Sequence, residues 1–142
     1  MSTQAPLVSA TGIWYAYFPV QTQPGDNNPH ILTTEGAEAL GNGSLFTDAP
    51  DSGVALTHRV TINIDVHAEC EHEVAIERLL GVQIDKAGTV INRGQSIFIT
   101  GYGNASYQGI LEAGHVVRTF VSAPGDVVVV KGGYVSVTAQ PI

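Results

Sequence analysis

Residues 60–71 read Val-Thr-Ile-Asn-Ile-Asp-Val-His-Ala-Glu-Cys-Glu. Every even position from Val60 to Cys70 is apolar, and every odd position from Thr61 to Glu71 is polar. Successive side chains of a strand point to opposite faces, so this is a strand with one face in a core and the other in water. A helix with the same sequence would spread both classes around its circumference.

The chain on either side repeats the theme in shorter pieces. Val74 to Ile84 is expected to return antiparallel, with a turn at Asp85-Lys86-Ala87-Gly88. Short strands are expected over Thr89–Asn92, Ser96–Thr100, Ser106–Leu111, Val116–Ser122, Val127–Lys131 and Tyr134–Ala139. Turns at Asn92-Arg93-Gly94, Gly101-Tyr102-Gly103-Asn104, Ala123-Pro124-Gly125-Asp126 and Gly132-Gly133 separate them. Strands at this spacing describe a β-sandwich or small barrel. Before residue 54 the pattern weakens. Residues 21–53 read as one long irregular loop, with Thr34 to Leu40 as a single helical turn capped by Thr34 and stopped by Gly41-Asn42-Gly43. Residues 1–10 read as an arm, and residues 11–142 as one domain.

Two stretches are apolar on both faces. In residues 13–18, Ile13, Tyr15 and Tyr17 share one face while Trp14, Ala16 and Phe18 share the other. The four valines Val127 to Val130 put two side chains on each face. In a two-layer sandwich one face of each sheet meets the core, so the second face needs another cover. That cover is either a long loop of the same subunit or a second subunit. Composition favours the second subunit. Only 13% of the 142 residues are charged, against roughly 25% in an average domain. Lys86 and Lys131 are the only lysines. A soluble monomer usually carries more charge than this.

Six basic against thirteen acidic side chains leave a net charge of −7. That balance disfavours nucleic acid and anionic membrane surfaces as partners. No apolar run reaches the ~20 residues of a membrane span. The opening Met1-Ser2-Thr3-Gln4-Ala5-Pro6 has neither the positive charge nor the apolar core of a signal peptide. A single cysteine, Cys70, rules out an internal disulfide framework and falls in phase with the apolar face of its strand.

Catalytic signatures are weak. His67-Ala68-Glu69-Cys70-Glu71-His72-Glu73 carries metal-ligand side chains. A cupin-type site, however, needs a second histidine where Glu69 stands, a glycine upstream that is absent here, and His115 as a distant ligand. The plainer reading is a solvated acidic face. Gly101-Tyr102-Gly103 with Gly109 lacks both the spacing and the lysine of a phosphate loop. Trp14, Tyr102, Tyr107 and Tyr134 are the aromatics available to a sugar site, or else they fill cores and interfaces. No catalytic residue, metal ligand or cofactor is assigned.

Taken together, the strand run from residue 54 to 142 and its closing segment Pro124-Gly125-Asp126-Val127-Val128-Val129-Val130-Lys131-Gly132-Gly133-Tyr134-Val135-Ser136-Val137 resemble the small jelly-roll proteins of viruses. The resemblance is strongest to the head decoration (cement) proteins of tailed bacteriophages. Some of these are trimers with a tumour-necrosis-factor-like jelly roll. The resemblance implies a non-enzymatic homotrimer on the outer surface of a capsid, bridging copies of the major capsid protein. It assigns no residues. From the residues themselves, Trp14, Tyr15, Tyr17, Val116, Val128 and Val130 are the expected subunit interface. Thr3, Gln4, Pro6, Asn27 and Asn28 are expected to face the capsid. The competing expectation is a receptor- or carbohydrate-binding head domain of a viral fibre or spike, built on the same sandwich.

Overall fold

Twelve strands run through the residues described by the computed structural model, 10–71, 76–99, 101–125 and 127–142. They are β1 (Gly12–Tyr17), β2 (Gln21–Pro24), β3 (His30–Ile31), β4 (Glu35–Gly41), β5 (Phe46–Ala49), β6 (Gly53–Leu56), β7 (Val60–Cys70), β8 (Arg78–Lys86), β9 (Thr89–Phe98), β10 (Tyr102–Leu111), β11 (Val116–Ser122) and β12 (Val127–Pro141). They form two antiparallel sheets in a jelly-roll β-sandwich. The first has the order β10-β7-β12-β1-β4, with β2 beside the start of β12. The second has the order β5-β6-β11-β8-β9, with β3 beside β11.

The alternation in β7 decides which face is which. Val60, Ile62, Ile64, Val66, Ala68 and Cys70 are buried, while Thr61, Asn63 and Asp65 are exposed. They meet Leu80, Val82 and Ile84 of β8 and Val117 and Val121 of β11 in one core. Each such side chain removed from water contributes roughly 1.5–3 kcal/mol. One flank of the sandwich is drawn tight by glycine. A Cβ on Gly94 of β9 would lie 2.7 Å from the Ser106 carbonyl oxygen of β10.

Several local expectations are corrected. Thr34–Leu40 is not a helical turn. Glu35–Gly41 pairs with β1, Leu40 opposite Ile13 and Glu38 opposite Tyr15, and Gly36 and Gly41 take φ of +65° and +67°. Helix propensity is a weak preference that sheet pairing overrides. The long loop of residues 21–53 resolves into short strands for the same reason. Asn92-Arg93-Gly94 lies within continuous β9, and Tyr102 already belongs to β10. The return strand expected from Val74 begins at Arg78. Val74 and Ala75 lie outside the described residues.

Gly132-Gly133 is not a hairpin turn but part of β12. Val130 pairs with Cys70 and Gly132 with Glu69, so Lys131 is an extra residue in the strand. One extra residue exchanges the two faces. Val128 and Val130 point into the core before it, and Val135, Val137 and Ala139 after it. Gly133 makes this geometry feasible: a Cβ there would lie 2.1 Å from the His67 carbonyl oxygen.

The bulge also revises the reading of the doubly apolar strands. Trp14, only 5% exposed, and Val128 and Val130 fill the chain's own core and present nothing to a second subunit. The surplus lies on the opposite parity. Ile13 and Tyr17 are exposed, Tyr15 is partly exposed, and Val127 is exposed beside β2. Val116 is half-buried on the outer side of the second sheet, under Gly53.

Candidate functional site

The outward face of the β10-β7-β12-β1-β4 sheet is a ladder whose rungs cross five strands. Strand register dictates the rungs. Asn104, His67, Tyr134, Tyr17 and Glu35 form one. Ser106, Asp65, Ser136, Tyr15 and Glu38 form the next, and Gln108, Asn63, Thr138, Ile13 and Leu40 the one after. Tyr102 stands opposite Glu69 just beyond the first rung.

Four rings gather at the first rung. His67 lies between Tyr102 and Tyr134, with ring centroids 6.1 Å and 5.8 Å away and planes inclined by 23° and 29°. Tyr17 follows Tyr134 in register and meets Tyr15 edge-to-face at 5.9 Å. Three of the tyrosines remain well exposed: Tyr17 at 52%, Tyr102 at 56% and Tyr134 at 44%. Ile13, Leu40 and Ile110 continue the apolar surface along the face.

Polar groups hold the rings in place. His67 Nδ1 and Asn104 Oδ1 are 2.7 Å apart, so Nδ1–H donates and the amide oxygen accepts. The Tyr15 hydroxyl donates to the Glu38 carboxylate across β1 and β4. That bond, with the negative charge of Glu38, raises the Tyr15 pKa. Lys131, placed by the bulge, lies 3.3 Å from the Glu69 carboxylate. Two shallow grooves of about 420 and 480 Å³ lie on this face, the first beside Tyr134 and the second farther along the ladder from the rings. The first is lined by Asp65, Asn104, Ser106, Tyr134 and Ser136, the second by Thr61, Asn63, Gln108, Ile110 and Thr138 among others.

This chemistry is contact chemistry. Rings, amides and hydroxyls on a sheet surface bind by stacking, apolar burial and hydrogen bonding. Among the described residues no cluster of three or more histidine, cysteine or acidic side chains is placed to hold a metal ion. His67 stands among tyrosines rather than ligands, and His72 and Glu73 lie outside the described residues. Cys70 is buried, and desolvation pushes its thiol up to about 11, far from a nucleophile. Tyr107 is half-buried against the core, its hydroxyl accepting a bond from Asn92 Nδ2 at 3.0 Å.

Of the expected interface residues, Tyr15 and Tyr17 lie on this ladder. Of the expected capsid-facing residues, Asn27 and Asn28 form an exposed turn at one end of the sandwich, and Thr3, Gln4 and Pro6 lie outside the described residues. Sequence reasoning did not bring Tyr17, Tyr102 and Tyr134 together. The available signal was parity for Tyr102 and Tyr134, each in phase with the polar residues of its own strand, whereas Tyr17 shares its phase with Ile13 and Tyr15.

No family model and no curated protein sequence matches this chain. Solved structures do share its fold. The vertex protein P5 of PRD1 superposes with a TM-score of 0.62 at 11% identity, covering 95% of this chain and 99% of that one. Murine APRIL superposes at 0.58 and 12% identity, covering 92% and 98%. The Eiger TNF of S. frugiperda gives 0.55 at 11% identity, covering 90% and 92%. The chain therefore shares a tumour-necrosis-factor-like jelly-roll fold with these proteins.

Proposed function

We propose that this chain is a structural protein of a phage virion, a homotrimeric decoration (cement) protein that binds the outer surface of the head and stabilises the shell. Its exposed row of Tyr17, Tyr134, His67 and Tyr102 carries the reading. Such a row on one sheet face is costly to leave in water and well suited to a second copy of itself. The fold shared with a viral vertex protein supports a place in a virion. Once the subunits associate, each trimer presents three copies of any capsid contact. Several modest contacts with the major capsid protein then act together through effective concentration. The exposed turn at Asn27 and Asn28 is the capsid-facing candidate among the described residues. No catalytic step, cofactor, nucleic acid or membrane enters this role.

Light scattering after size exclusion tests assembly, and co-sedimentation with isolated heads tests decoration. A trimer that pellets with mature heads is expected. Tyr134→Ser removes a central ring and weakens association by roughly 30-fold or more, the effect of losing an aromatic anchor worth about 2 kcal/mol. A polypeptide that stays monomeric at its highest soluble concentration refutes the assembly. A trimer that ignores heads refutes the decoration role. In that event a receptor- or glycan-binding head domain becomes the better reading, because Asp65, Asn104 and Ser136 beside Tyr134 offer a sugar both polar groups and a ring.

A further inference from the structure

Beyond the rings, the ladder ends in the groove of about 480 Å³, which the aromatic row does not explain. Its last rung is Ile110, Thr61 and Gln140, across β10, β7 and β12. Thr11 continues that rung, because the next residue, Gly12, pairs with Ala139. Thr11 also lines the groove itself. At the far side Ile110 is 50% exposed. Asn63, Gln108 and Thr138 add amides and a hydroxyl between the two ends. An exposed apolar side chain beside a row of hydrogen-bonding groups suits an extended peptide, whose backbone bonds to the row while one side chain packs.

The chain supplies such a peptide at the right place. Before Thr11 it reads Met1-Ser2-Thr3-Gln4-Ala5-Pro6-Leu7-Val8-Ser9-Ala10, and residues 1–9 lie outside the described residues. The root of this arm is pinned at the mouth of the groove. Asn42 Nδ2 donates to the Ala10 carbonyl at 3.1 Å, and the Asn42 N–H donates to the Thr11 carbonyl at 3.0 Å. Leu7 and Val8 are the large apolar pair nearest that root. Length decides whether they reach. Three strand spacings separate Thr11 from Ile110, about 14 Å. Four extended residues, from Thr11 back to Leu7, span about 13 Å, and the leucine side chain covers the remainder. The same count sets Val8 over Thr61. In the other direction β4 is the last strand, and the sheet ends there. So short a tether also gives the arm an effective concentration that a separate partner must exceed.

We propose that the N-terminal arm crosses this groove of its own subunit. Leu7 packs against Ile110, and the backbone around it bonds to Thr138, Asn63 and Gln108. Residues before Pro6 then emerge past β10, which displays Thr3 and Gln4 at that edge of the sandwich. The arm closes the far end of the face and leaves the aromatic row free. The inference concerns a single chain, so it stands whether or not that row assembles.

A short bismaleimide tests the docking in two double variants of the full chain. Pro6→Cys with Gln108→Cys sets one thiol on the arm and one in the groove. Pro6→Cys with Leu40→Cys sets the second on β4 instead. Leu40 is 55% exposed and lies one strand from β1, whereas Gln108 lies three strands away. An undocked arm therefore links to β4 at least as fast as to the groove. Cys70 is buried and takes no part. The groove pair is expected to link within one chain about tenfold faster than the β4 pair, the factor that burial of one large apolar side chain supplies. Adding Leu7→Ser and Val8→Ser should abolish the difference. In the ¹⁵N-labelled protein those two serine changes should shift the amide signals of Thr61, Asn63, Gln108 and Ile110 and leave that of Ile97 in place. Equal linking rates in the two pairs, or unmoved groove signals, overturn the proposal. So do covalent dimers in place of the within-chain link, because the arm then crosses to a neighbour. Light scattering reads trimer formation separately.

Discussion

Replacing Gly133 by alanine should damage this protein far more than the same change one residue earlier. A Cβ on Gly133 would sit 2.1 Å from the carbonyl oxygen of His67, 2.8 Å from Ala68 Cα and 3.0 Å from the His67 carbonyl carbon. All three are backbone atoms of β7, so no side-chain rotation relieves the overlap; the strands must part. The residue also holds φ +142°, a conformation that L side chains rarely adopt. Overpacking of this kind costs about 1–3 kcal/mol, and a strained backbone position about 1–3 kcal/mol more. The sum, roughly 2–6 kcal/mol, is a large share of the 5–15 kcal/mol typical of a folded domain. Gly132 is the internal control, because a Cβ there has nothing within 4 Å. Gly132→Ala should stay within about 0.5 kcal/mol of the parent, as surface substitutions do. Urea unfolding followed by circular dichroism gives both values, and equal m-values confirm that the comparison is like for like. If Gly133→Ala unfolds within about 1 kcal/mol of the parent, the close strand approach and the bulge built on it are refuted. The consequence reaches the aromatic ladder, since Tyr134 follows Gly133 directly and faces His67 only in this register.

Three further outcomes follow from the packing. Arg118→Ala strips the ion pair to Asp85, whose side chain is 7% exposed, and the bonds from Nε and Nη2 to the Pro50 carbonyl. It should cost about 3–5 kcal/mol in urea unfolding, because an uncompensated buried charge remains. Ala87, at φ +50° in the tip of the β8–β9 hairpin, should gain from replacement. Ala87→Asn is expected to raise stability by about 0.5–1 kcal/mol, since asparagine tolerates the left-handed region and alanine does not; an unchanged thermal midpoint contradicts this. The Cys70 thiol, pushed up to about 11 from an ordinary 9.0, stabilises the fold fully below pH 9. That contribution is lost as pH rises from 9 through about 11, because the unfolded chain ionises first. Cys70→Ala should flatten this part of the alkaline unfolding curve, and the native thiol should ignore a disulfide reagent at neutral pH until urea is added.

The alternation of residues 60–71 survived into the structure as the eleven-residue strand β7, because burial on one face and water on the other write the same period into any sheet. The four valines of β12 were misleading on their own. Their meaning turns on Lys131, which shifts parity within the strand, and the resulting slip of hydrophobic phase is concealed where all four residues before it are valine. Gly132-Gly133 looked like a turn because glycine marks turns, close approaches and bulges with the same letter. β4 looked helical because Ala37, Glu38 and Ala39 favour helix when nothing pairs with them.

From composition and pattern alone came the class of the molecule, a low-charge, acidic, all-β sandwich with greasy surface to spare. Those properties are sums over residues or repeats along one strand, and the chain states them directly. Which side chains share a surface was settled only by pairing. Tyr17, Tyr102, Tyr134 and His67 are distant along the chain, and only the register of four antiparallel strands sets them in one cluster. The same holds for the core. Trp14, Val128 and Val130 belong inside, and Ile13, Tyr15 and Tyr17 outside, because the second sheet covers one face of the first and leaves the other bare.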